Sequence, residues 1–203
     1  MRIVVLILAV LLSGCVSGKH RAAQDNLNPA GPWGYYNGTI DTRWDQDGRT
    51  MTLLNELRYT DPKGVVWIAP AGSVIDGASI PRVLWSFMGG PFDGKYRNAS
   101  VLHDVAYDQK TRSWKQCDRM FYNAMRCGGV GATEAKTMYY ALYRHGRHWK
   151  HPRGSAGAIA RDEQTIPRAL PVSEEEIQDT RSWIENGNPS LEQIEARADT
   201  PPQ

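Results

Sequence analysis

The stretch VLHDVAYDQKTRSWKQCDRMF, residues 101–121, sets His103 beside Asp104, Tyr107 four positions past the histidine, and Asp118 inside an apolar stripe. Imidazole and carboxylate are the two groups from which proteins build a general base, the carboxylate fixing the tautomer and the ring taking the proton. If residues 98–110 are helical, Ala99, His103, Ala106 and Tyr107 share one face. Asp104 is turned about 100° away, so His103 and Asp104 address two adjacent partners rather than one. On a second helix, Trp114, Asp118, Phe121 and Met125 form a buried stripe, in which a lone carboxylate is costly and needs a partner. Joined through Lys110, Thr111 and Arg112, the two helices fold back as an antiparallel hairpin that sets His103 against Asp118. Asp104 is then left for a metal ion or a backbone N–H. A hard cation such as calcium takes several carboxylate and carbonyl oxygens, and the upstream Gly-rich loop offers Asp76 with its carbonyls. The same residues have plainer uses: His103 as a core histidine bonded to Asp118, and Asp76 as a turn residue.

The elements that must hold these residues are legible in outline. The runs TMTLLNELRY, 50–59, and VVWIA, 65–69, flank DPKG at 61–64, which predicts a β-hairpin. Residues 74–98 mix glycine, proline and large apolar side chains without a period, as an ordered functional loop does. Asn98, Ser113 and Thr133 are candidate caps for three helices, the third stopping at Gly146. A Ser173/Glu176 capping box opens a fourth helix, and a short fifth starts at Ser190. The fold class is therefore α+β, mainly helical: a small β-hairpin, a helical core and extra C-terminal helices. The 203 residues divide into 1–14 as leader, 15–47 as linker or irregular wrap, 48–149 as core domain, 150–172 as connector and 173–203 as helical tail. The aromatics of the wrap, Trp33, Tyr35 and Tyr36, are expected to pack on the core.

Arg2 precedes an apolar run, Ile3 to Leu12, about half the length that spans a bilayer, and so reads as a signal peptide. Leu12, Ser13, Gly14 and Cys15 then resemble the lipobox of a bacterial lipoprotein. That resemblance implies cleavage before Cys15 and a diacylglyceryl thioether on its sulfur, a membrane anchor when joined by further acylation. Val16 stands where an inner-membrane retention aspartate would be, which points to the outer membrane facing the periplasm. Removing residues 1–14 deletes only Arg2, leaving 23 basic against 22 acidic residues, a balance that gives no argument for nucleic acid. Cys117 and Cys127 fall about 15 Å apart on one helix, beyond disulfide reach unless the helix breaks near Gly128.

The ordered stretches DGASIPR, GPF, YRNASVLHDVAY and DRMFYNAM, from 76 to 125, resemble the core of the domain of unknown function 1353 family of bacterial and phage proteins. More distantly, the same order is similar to the small secreted bacterial phospholipases A2, with their His-Asp-x-x-Tyr helix and Asp-x-x-Phe helix. That resemblance implies a phospholipase A2-like core in which His103 is the general base, Asp118 orients it, Tyr107 supports the pair, and Asp76 and Asp104 bind calcium. It also implies attack of a water on a phospholipid ester, with calcium stabilising the oxyanion. The phospholipases carry a cysteine and disulfide beside the histidine motif, where this chain has Ser100, Val101 and Leu102.

Two function classes therefore stand: a lipid-anchored envelope hydrolase, or a non-enzymatic envelope or prophage lipoprotein that binds a protein partner through the same fold. His145, His148 and His151 in RHGRHWKH are spaced by three but interrupted by Gly146, and they read as a basic, solvated helix end or a lipid-headgroup contact rather than a metal site.

Overall fold

A computed structural model describes residues 31–77, 84, 89–90, 92–150 and 173–200. The leader, Cys15, most of the 150–172 connector and His151 lie outside the described residues.

Six short strands form two antiparallel three-stranded sheets: β1 (Tyr35–Asn37), β2 (Thr42–Trp44), β3 (Met51–Leu53), β4 (Leu57–Thr60), β5 (Val66–Ala69) and β6 (Val74–Ile75). One sheet runs β1-β4-β5 and the other β2-β3-β6. The β4–β5 hairpin is the expected one: the Asp61 carboxylate accepts the N–H groups of Lys63 and Val65, and Gly64 takes φ +78°. Along β4 and β5, Leu57, Tyr59, Trp67 and Ala69 point into the core while Arg58, Val66 and Ile68 point out.

Two expectations are corrected here. The run 50–59 is not one strand, because a straight strand would turn Asn55 inward between Leu53 and Leu57. The chain instead breaks at residues 54–56, Asn55 stays exposed, and β3 and β4 enter different sheets. The stretch expected to be an irregular wrap also contributes β1 and β2. Tyr36 pairs with Tyr59 across the sheet, and its hydroxyl donates to the Ala124 carbonyl at 2.7 Å. Trp33 meets Tyr122 edge to face at 5.7 Å, the packing foreseen for that aromatic.

Five helices follow among the described residues. A 3₁₀ turn at Gly94–Tyr96 leads straight into α1 (Arg97–Gln109), so Tyr96 rather than Asn98 is the cap residue, and Lys110 closes the helix with φ 48°. The capping box of Ser113 and Gln116 opens α2 (Trp114–Cys127). Gly131, not Thr133, precedes α3 (Ala132–His145), which ends at Gly146. Ser173 caps α4 (Glu174–Gly187), and a Ser190/Gln193 box opens α5 (Leu191–Asp199).

The hairpin of α1 and α2 packs on β4 and β5 through α1, α3 packs on α2, and α4 and α5 both pack on α3. Ile177, Ile184 and Ile194 are buried against this stack. Polar anchors reinforce it: Tyr139 donates to Glu195 at 2.6 Å, and Arg144 donates to the carbonyls of Ala198 and Thr200 at 2.6 and 2.7 Å. Cys117 and Cys127 are both thiols, as their spacing requires. No helix among the described residues is long and apolar enough to cross a membrane.

Candidate active site

One turn of α1 separates His103 from Tyr107, and their rings lie 4.0 Å apart between centroids, with Phe121 of α2 on the other side of the imidazole at 4.9 Å. From α2, Asp118 reaches across the hairpin. His103 Nε2 lies 2.9 Å from Asp118 Oδ1, and the Tyr107 hydroxyl donates to the same oxygen. His103 and Asp118 are both completely removed from solvent. A carboxylate on Nε2 selects the tautomer that carries its proton there and leaves the lone pair of the neutral ring on Nδ1.

Burial, then the charge and hydrogen bond of Asp118, push the Tyr107 phenol well above its ordinary value, so it stays a donor. Burial and the same charge push the neighbouring Cys117 thiol up to about 12. The second carboxylate oxygen, Asp118 Oδ2, is buried without a hydrogen-bond partner among the described residues.

Asp104 lies on the adjacent face of α1 and is nearly buried. Its Oδ2 accepts the Gly77 N–H at 2.7 Å, clamping the chain just past β6 onto the helix. This is the backbone alternative among the two partners open to it. Asp76, one residue earlier, is exposed. It lies near Asp108, whose carboxyl is raised first by burial and then by the Asp76 charge, against the pull of Arg147. Among the described residues no three His, Cys, Asp or Glu side chains converge as a metal would require. Two aspartates, one exposed and one already holding a backbone N–H, fall short of the six to eight oxygens of a calcium site. The described side chains do not by themselves fit a calcium cage.

The sequence reading missed how Gly146, His148 and Trp149 pack against Tyr107 and Trp114. A Cβ on Gly146 would come within 3.2 Å of the Tyr107 hydroxyl. The Trp149 ring stands edge-on to Tyr107 at 4.9 Å while its Nε1 donates to the Arg112 carbonyl at 3.1 Å. His148 stacks flat on Trp114, with centroids 3.7 Å apart. The expected basic, solvated helix end is therefore corrected. His145 is buried with Nε2 3.1 Å from Glu176, and His148 is packed against an aromatic face. Trp149, an apolar ring among the basic residues, was the available signal.

The sequence predicts Glu176 as half of a capping box. Its N–H does bond the Ser173 hydroxyl, but its carboxylate is taken by Arg144 Nε at 2.8 Å, Tyr140 at 2.8 Å and His145.

The uncharacterized protein y4jT of Sinorhizobium fredii is 42% identical over 106 residues, which are 52% of this chain and 32% of that protein. The uncharacterized protein y4iH of the same organism is 37% identical over 103 residues, 51% of this chain and 43% of its own. The matched part of this chain thus spans under half the length of either relative. No solved structure matches the chain. Residues 51–142, which hold β3 to β6 and helices α1 to α3 up to Leu142, match the family described as Protein of unknown function (DUF1353).

Proposed function

We propose that the protein is a lipid-anchored envelope hydrolase with a phospholipase A2-like core, in which His103 and Asp118 act on the ester bond of a phospholipid. One observation carries the reading: a single carboxylate oxygen of Asp118 accepts from both His103 and Tyr107, which fixes the orientation of the imidazole. In such a centre, Nδ1 removes a proton from water as the water oxygen bonds to the ester carbonyl carbon. The tetrahedral adduct then expels the glycerol-side oxygen, and the proton returns from Nδ1 to that leaving group, yielding a fatty acid and a lysolipid. Asp118 stabilises the transient imidazolium, and Tyr107 holds Asp118 in place.

Cys15, with its diacylglyceryl thioether, would hold the protein on the outer membrane facing the periplasm, where phospholipid is at hand. A second reading rests on the full burial of His103 and Asp118: a structural pair within a non-enzymatic envelope or prophage lipoprotein that binds a protein partner. The full-length chain in detergent, added to phospholipid vesicles with calcium or with chelator, separates the two. The hydrolase reading expects fatty-acid release, whereas the structural reading expects none from folded protein under either condition.

A further inference from the structure

The Asp118 carboxylate is unevenly used. Oδ1 carries two hydrogen bonds, while Oδ2, equally buried, has no partner among the described residues. A bare carboxylate oxygen out of water is expensive, and such atoms are nearly always satisfied in folded proteins.

A second buried polar atom without a partner lies in the same neighbourhood: His148 Nε2. Three contacts bring the 146–149 segment to the surroundings of Asp118. The His148 ring stacks on Trp114, which sits one helical turn before Asp118 on the same stripe. Gly146 abuts the Tyr107 hydroxyl that bonds Asp118. Trp149 packs on the Tyr107 ring. Burial keeps the His148 ring below its ordinary value despite the raising influence of the Asp118 charge, so at neutral pH it is uncharged.

We propose that His148 is a third positioning group for Asp118: protonated on Nδ1, it presents the lone pair of Nε2, and Nε2 and Asp118 Oδ2 are the two acceptors of one buried water site. A water donates one hydrogen to each, which satisfies two orphaned acceptors at once and ties the 146–149 segment to the carboxylate that orients His103. The inference concerns the same His103–Asp118 centre and rests on the hydrolytic reading only for its part in turnover.

The test is 15N–1H NMR of the histidine ring nitrogens in the full-length chain in detergent micelles, comparing the wild type with His148→Phe and His148→Gln. Phenylalanine keeps the stack on Trp114 and removes the acceptor. Asp118, deprived of the bridging donor, then accepts more strongly from its remaining partners, so the His103 Nε2–H resonance moves downfield. Glutamine, which restores a polar end, returns most of that shift. In the wild type His148 is protonated on Nδ1, and its Nε2 shows cross-relaxation to a bound water. An unmoved His103 resonance in folded His148→Phe overturns the proposal. If that variant does not fold, a wild-type His148 protonated on Nε2 overturns it equally. None of these signals depends on lipid hydrolysis, so an inactive protein with the predicted shifts would remove the hydrolase reading and leave this inference standing.

Discussion

Replacing Tyr107 by phenylalanine isolates one hydrogen bond at the centre of the site. The ring contacts with His103 at 4.0 Å and Trp149 at 4.9 Å are kept, and only the hydroxyl that donates to Asp118 Oδ1 is lost. The acceptor is charged and the donor is buried, so the loss costs about 1.5–3 kcal/mol of folding stability. Asp118→Ala strands two buried donors, the His103 Nε2–H and the Tyr107 hydroxyl, and should cost about 3–5 kcal/mol, as removing one member of a buried pair does. In that background Tyr107→Phe removes an already unmatched hydroxyl and costs close to nothing. The two changes are therefore strongly non-additive, with a coupling of about 1.5–3 kcal/mol. Denaturant unfolding followed by tryptophan fluorescence on the four proteins of the cycle measures it. Additive costs, agreeing within about 0.5 kcal/mol as independent sites do, would refute the claim that Tyr107 acts through Asp118.

Gly146→Ala brings a Cβ to 2.4 Å from the Leu142 carbonyl and 3.2 Å from the Tyr107 hydroxyl, so it is expected to lose about 1–3 kcal/mol. Gly187→Ala, with nothing within 4 Å, should be neutral or gain up to about 1 kcal/mol in the same unfolding assay. Burial raises the Glu176 carboxyl, but hydrogen bonds from Tyr140 and His145 and the charges of His145 and Arg144 outweigh it, leaving it below its ordinary value. Its stabilising contribution is thus complete above the unfolded carboxylate range near about 4.3 and is lost as pH falls through the lower folded value. Hydrogen exchange of α4 amides should accelerate selectively across that acid window in the wild type, and Glu176→Gln should abolish the selectivity. Cys117, its thiol pushed up to about 12, should resist alkylation at pH 8 until the protein unfolds, as mass spectrometry of labelled peptides would report.

Much of the site's geometry was readable because it is local. Helical spacing alone placed His103 and Tyr107 on one face, and the short Lys110–Thr111–Arg112 link folded Asp118 back against them. The β4–β5 hairpin was equally local, written in Asp61 and Gly64. What was missed depends on long-range packing. Strands of three residues, such as β1 and β2, are too short to show alternation, and only their pairing to β4 and β3 defines them. The 146–149 segment reads as solvated because Arg147 and Lys150 dominate its composition, whereas its burial comes from ring contacts with Tyr107 and Trp114 on other helices. Glu176 carried a valid capping signal, and three groups on α3 claimed its carboxylate instead.

Whether the enclosed His103–Asp118 pair works as a general base is read from the initial rate of fatty-acid release from phospholipid vesicles. Wild-type full-length chain would be set beside His103→Asn of matched unfolding midpoint, each with calcium and with chelator. A working base gives measurable release by the wild type and a loss of about 10²- to 10⁴-fold in the variant, the usual contribution of a positioned base. Equal rates for the two proteins, or no release by folded wild type in either condition, would contradict it.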